Sequence, residues 1–203
     1  ATLFAVVLIV TYMGGFNLLA SFNVADAFTQ YSWANEWTPW IIGVILAVLM
    51  AGSIFGGTRR LTDVTGLLVP VMAIIYLGVG LVVVALNYQN IPAMFSAIFA
   101  GAFDFQAIFG GFAGSAMMYG IKRGLYSNEA GVGSAPNAAA SASVSHPAKQ
   151  GLVQMLSVFI DTMVICTLTA FVVLSSGVGS DGGVTGAPLV KDAMATVLGQ
   201  PIA

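Results

Sequence analysis

Residues 64–86 read VTGLLVPVMAIIYLGVGLVVVAL, an uninterrupted run without a single charge. As a helix it is about 34 Å long, enough to cross the roughly 30 Å hydrocarbon core of a bilayer. A helix apolar on every face has no solvent side to offer water. Three more mainly apolar runs lie at about 2–27, 40–55 and 151–176, with Asp26 and Asp161 the only charges in them. Composition agrees: 58% of residues are hydrophobic and 7% charged, where a soluble domain carries about 25% charged residues. The chain is therefore expected to be an all-α integral membrane protein, with the lipid bilayer as its main partner. A net charge of −2 gives no surface for nucleic acid.

The remaining chemistry excludes other classes. Cys166, the single cysteine, lies inside the run FIDTMVICTLTAFVV and forms no internal disulfide. His146 stands without clustered Cys or His, so no metal site is expected beyond any transported cation. No nucleophile–base pair is visible, and GVGSAPN lacks the lysine of a phosphate-cradling loop. Neither an enzyme nor a cofactor is expected. The chain opens ATLFAVVLIVTY, without methionine, basic segment or cleavage site, and reads as an internal piece of a longer protein.

Charge placement orients the spans, because Lys and Arg accumulate in cytoplasmic loops. The loops TQYSWANEWTPW and LNYQNIP have none, whereas GGTRRLTD carries Arg59 and Arg60, and Lys122, Arg123 and Lys149 follow later. The alternation fits five spans, with a cytoplasmic N-terminal end and an extracellular or periplasmic loop after residue 177. It needs a fourth span between Ile91 and Lys122. That region is about 50 Å long as one helix, so it divides into an interfacial helix at 91–103 and a span at 104–122. Within the span, GGFAG (110–114) places three glycines in five residues. Either they allow a close helix crossing, or they break the helix and expose backbone groups at mid-membrane, as in secondary transporters.

GLYSNEAGVGSAPNAAASA, followed by HPAKQGLVQMLSVFIDTMVICT and preceded by GGFAGSAMMYGIKRG, resembles the alanine/glycine:cation symporter family. GGTRR and the span pattern fit as well. The resemblance covers the whole chain, most specifically residues 110–177. It implies sodium- or proton-coupled symport of alanine or glycine across the cell membrane by alternating access. It also implies a leucine-transporter-type inverted-repeat fold, of which these spans are the third to seventh core helices, one of them discontinuous. One departure stands out. The family carries a substrate-facing glutamine in a pattern like NxxQxN, and here NLLASFN places Ala20 at that position and Phe22 at the next asparagine, leaving Asn17 and Asn23. A different or bulkier substrate is one consequence, a water in the gap another.

A zwitterionic amino acid needs donors for its carboxylate and acceptors for its ammonium. Opened helix ends supply both, so Gly110, Gly111, Gly114 and Ser115 are backbone candidates. Phe112 either closes the pocket or packs against its surroundings. Asp161 falls about 20 Å along the last span, near mid-membrane, where an ionisable group is a functional hypothesis by default. With Thr162, and Thr167 nearby, it either holds the coupled cation or caps the opened helix. The stretch Ser127, Asn128, Glu129, Gly131, Gly133, Ser134, Pro136 and Asn137 sits after Lys122 and Arg123, at the cytoplasmic rim. Ser134 is expected as a helix N-cap and Pro136 in the first turn. Glu129 either caps this turn or pairs with Arg123, and the stretch is either a tight turn or an inner gate. The alternative function is a helical membrane scaffold or channel subunit that transports nothing by symport. The sequence carries no signal for an oligomeric state.

Overall fold

The computed structural model describes residues 2–29, 31, 33–103, 112–129, 131–178 and 184–199. The regular structure among the described residues is all helical, in the order α1 (Thr2–Val10), a π-helical turn (Thr11–Phe16), α2 (Asn17–Thr29), α3 (Thr38–Ile54), α4 (Gly57–Leu86), a 3-10 turn (Tyr88–Asn90), α5 (Ile91–Ala102), α6 (Phe112–Ser127), α7 (Ser134–Ala139), α8 (Pro147–Phe159), a second π-helical turn (Ile160–Cys166), α9 (Thr167–Ser176) and α10 (Ala187–Leu198). Among the described residues three continuous helices are long and apolar enough to cross a membrane: Thr2–Phe28, Gly57–Leu86 and Pro147–Ser176. Thr38–Ile54 is a shorter apolar helix. Their large apolar side chains stand exposed, Phe55 at 89% and Leu3 at 79%. That is the surface of a chain whose surroundings are lipid or further protein rather than water.

The chain divides into two units, residues 1–79 with 178–203, and residues 80–177. In the first, α2 packs along α3, and α10 packs on α2. Asn35 organises the start of α3: its Oδ1 accepts the Trp37 N–H at 3.0 Å, and its own N–H donates to the buried Thr38 hydroxyl at 2.9 Å. From α10, the Lys191 ammonium donates to the carbonyls of Ala27 at 3.1 Å and Asp26 at 3.4 Å. Both carbonyls lie in the last turn of α2.

The second unit is built around Val83, Met94, Leu168 and Val172, all buried. Phe95 meets Phe171 edge-on at 5.7 Å. A Cβ on Gly80 would come within 2.7 Å of the Leu168 side chain, which would have to shift to admit it. Asn90 donates to the Ser175 carbonyl at 2.9 Å and closes the end of α9, where Gly177 terminates the helix at φ 72°.

Two expectations change here. GGTRRLTD was expected as a loop, yet Gly57 onward is helix, so Arg59, Arg60 and Asp63 extend α4 beyond its apolar run. Gly57 at φ 77° makes the reversal after α3 in so few residues. Cations at a helix N-terminus oppose the dipole, so the two arginines answer to the membrane interface instead. Ser134 is not an N-cap. Gly133, left-handed at φ 85°, holds that position and Ser134 is the first helical residue, because the turn before α7 needs a conformation that glycine adopts at low cost.

Candidate functional site

The second π-helical turn is where the polar residues meet. A π turn inserts an extra residue into the helical ladder and is frequent at functional sites. Thr167 donates its hydroxyl to the Thr162 carbonyl at 3.4 Å, five residues back. In this turn Asp161 and Thr162 are half-buried. They face the C-terminal end of α6, where Ser127 donates its hydroxyl to Asp161 Oδ2 at 2.5 Å. One residue along each segment, the Thr162 hydroxyl donates to Asn128 Oδ1. The Cys166 sulfur lies 3.4 Å from the Ser127 hydroxyl. Two adjacent residues on one segment thus clasp two adjacent residues on the other.

Helix length sets the depth of this clasp. Pro147–Ser176 is 30 residues, about 45 Å, whereas the hydrocarbon core takes about 20 residues. The excess belongs at the polar end, where Lys149, Gln150 and Gln154 lie and His146 Nδ1 accepts the Ala148 N–H at 3.1 Å as the N-cap. Asp161 lies fifteen residues before Ser176, about 22 Å along this helix.

The remainder of the signature stretch is a hydrogen-bonded turn. Glu129 has φ 51°, and Gly131 and Gly133 are also left-handed. The Glu129 N–H donates to the Tyr126 carbonyl at 3.1 Å, and the Val132 N–H to the Glu129 carbonyl at 3.2 Å. The Glu129 carboxylate accepts the Ser134 hydroxyl. Asn137 Nδ2 donates to the Gly133 carbonyl at 2.8 Å, and Pro136 lies in the first turn of α7.

The substrate candidates are less gathered. Gly110 and Gly111 lie outside the described residues. Phe112, Gly114 and Ser115 belong to the regular helix α6, so that part of GGFAG is not opened. In the first unit, Asn17 lines an open apolar groove of about 580 Å³ with Ala20, Ser21 and Met50. Asn23 lines a separate cavity of about 360 Å³ with Asp26, Tyr76 and Lys191. Among the described residues no group of three or more His, Cys, Asp or Glu could hold a metal.

Long apolar helices, with the Asp161 carboxylate and its polar partners among the described residues, are those of a multi-pass membrane protein. The sequence profile of the sodium:alanine symporter family matches residues 1–203. The chain belongs to that family. Among curated relatives, the "Sodium/alanine symporter AgcS" of Methanococcus maripaludis is 43% identical over 169 residues, 83% of this chain and 37% of that protein. The "Probable sodium/glutamine symporter GlnT" of Bacillus subtilis is 40% identical over 197 residues, 97% of this chain and 41% of that protein. The "Sodium/proton-dependent alanine carrier protein" of Bacillus sp. strain PS3 is 44% identical over 155 residues, 76% and 34% respectively. The chain thus spans about two-fifths of the length of the relatives it matches.

Proposed function

We propose that the protein containing this chain is a secondary symporter that moves a small neutral amino acid, alanine or glycine, with sodium or a proton, by alternating access. The observation that carries this reading is the half-buried Asp161 carboxylate, which accepts the Ser127 hydroxyl beside the Thr162–Asn128 hydrogen bond, within an apolar helix of a chain in the symporter family. An ionisable group there is costly and marks an ion or substrate path. In this reading Asp161 and Thr162 serve the cation. The backbone of Gly110, Gly111, Gly114 and Ser115, with Phe112, Asn17 and Asn23, serves the amino acid. Ser127 to Asn137 forms the inner gate. The fold is the leucine-transporter type, and these helices are its third to seventh, with a cytoplasmic start and an outer loop after residue 177.

The test is uptake of radiolabelled alanine by the full-length protein in proteoliposomes. Saturable flux that requires a sodium or proton gradient is the expected result. A linear leak indifferent to ions would instead support the scaffold or channel reading. A second substrate has its own observation: Ala20 replaces the family's glutamine and leaves the groove beside Asn17 open, and one relative carries glutamine in its name. Competition of alanine uptake by excess glutamine decides between them.

A further inference from the structure

We infer that Asp161, Thr162, Ser127 and Asn128 form the cation-coupling site, and that a bound monovalent cation replaces the two hydrogen bonds that clasp α6 to the second π-helical turn. This rests on the symport reading and adds to it the ligand set and the event that follows occupancy. The donors come first. The clasp presents a carboxylate, an amide carbonyl and two hydroxyls. All are hard oxygen donors, the kind that alkali and alkaline-earth cations take. Asp161 is the single formal charge among these four residues. A monovalent ion neutralises it, whereas a divalent ion leaves a net positive charge inside the apolar layer, which is costly.

The hydrogen-bond pattern supplies the exchange. Ser127 places its proton on Asp161 Oδ2, and Thr162 places its proton on Asn128 Oδ1. In both cases a proton occupies the oxygen that a cation would need. Each hydroxyl has somewhere else to put it. Ser127 lies 3.4 Å from the Cys166 sulfur, a weak acceptor. Thr162 can turn to the carbonyl of the preceding helical turn, as threonine in helices does. Rotation of the two hydroxyls exposes their lone pairs together with Oδ2 and Oδ1, and the cation then bridges what the hydrogen bonds had joined. The π turn contributes by placing Asp161 and Thr162, adjacent in sequence, both toward the end of α6. The signature stretch begins at Ser127, so ion occupancy reaches the gate turn through the residue that starts it.

The full-length protein with Cys166 as its sole cysteine provides the test, because that thiol sits beside the exchanging proton and is exposed. Two quantities are measured: the sodium concentration for half-maximal alanine uptake, and the rate of Cys166 modification by a membrane-permeant maleimide in sodium against N-methylglucamine, without substrate. Asp161→Asn is expected to raise half-maximal sodium about tenfold, equivalent to about 1.4 kcal/mol. Thr162→Val and Ser127→Ala are expected to raise it about threefold, at the low end of an ordinary hydrogen bond's net contribution, and Thr162→Ser to restore it. Sodium should change Cys166 reactivity in the native protein, with the same half-maximal concentration as uptake, and not in Asp161→Asn. If Asp161→Asn does not transport, the sodium effect on Cys166 in Thr162→Val decides, since that variant keeps the carboxylate. Native sodium dependence in both assays after Asp161→Asn would overturn the site and leave the symport reading standing. A sodium effect on Cys166 with no ion-coupled uptake would overturn the symport reading and leave the site. Reactivity that follows pH and ignores sodium would overturn the metal cation in favour of a proton.

Discussion

Two π-helical turns lie among the described residues, each inside a long apolar helix, and their side chains are engaged differently. Thr11–Phe16 carries Thr11, Tyr12, Met13, two glycines and Phe16. Thr11 donates to the Val7 carbonyl of its own helix, and Tyr12 stacks on Phe16 at 4.7 Å. The Tyr12 hydroxyl is buried without a hydrogen-bond partner. Ile160–Cys166 carries Asp161 and Thr162, and both reach a second segment through side-chain hydrogen bonds. The extra residue in the ladder is common to both. A π turn therefore re-aims side chains but does not make a site. In the proposed reading the second turn becomes one because an ionisable residue occupies the re-aimed position and polar partners stand opposite.

That contrast can be broken by substitution, beginning with the largest effect. Asp161→Asn should raise half-maximal sodium for uptake about tenfold, and an unchanged value would reduce the second turn to the status of the first. Gly80→Ala comes next. The added methyl meets Leu168, the residue after Thr167 in the same helix, and overpacking there should cost about 2 kcal/mol, read as a lower melting temperature in detergent. An unaltered melting curve would mean that α9 shifts freely against α4. Gly133→Ala forces alanine into a left-handed conformation, at about 1 kcal/mol. It should slow uptake more than it weakens substrate affinity, and the opposite pattern would take this turn out of the gating step. Tyr12→Phe is the smallest. Removing an unpaired buried hydroxyl should stabilise by about 1 kcal/mol and leave uptake unchanged. A loss of uptake would make the first turn a site and dissolve the contrast.

The long apolar runs made membrane helices legible, since hydropathy over twenty residues leaves little choice. Asp161 and Thr162 were likewise visible as polar residues in an apolar span. Their partners were not. Ser127 and Asn128 lie 34 residues earlier, and no periodicity links two doublets across a chain reversal. The π turns were also hidden, because IDTMVIC and TYMGGF satisfy an ordinary helical pattern equally well. Arg59 and Arg60 suggested a loop by their charge, but charge marks the interface and not the end of a helix. His146 as an N-cap follows from no preference for Ser, Thr, Asp or Asn at that position; only its place before Pro147 hinted at it. The tie from Lys191 to α2 had no local signal at all.

That last tie has a consequence for biogenesis. Lys191 completes the end of a helix whose carbonyls lie 165 residues earlier in the chain. At about 5–20 residues per second, the ribosome delivers the lysine roughly 8–30 s after those carbonyls. During that interval those carbonyls lack the lysine and meet water or lipid headgroups instead. A nascent chain stalled before residue 191 should therefore expose the Asp26–Ala27 segment to protease, and one released after α10 should protect it.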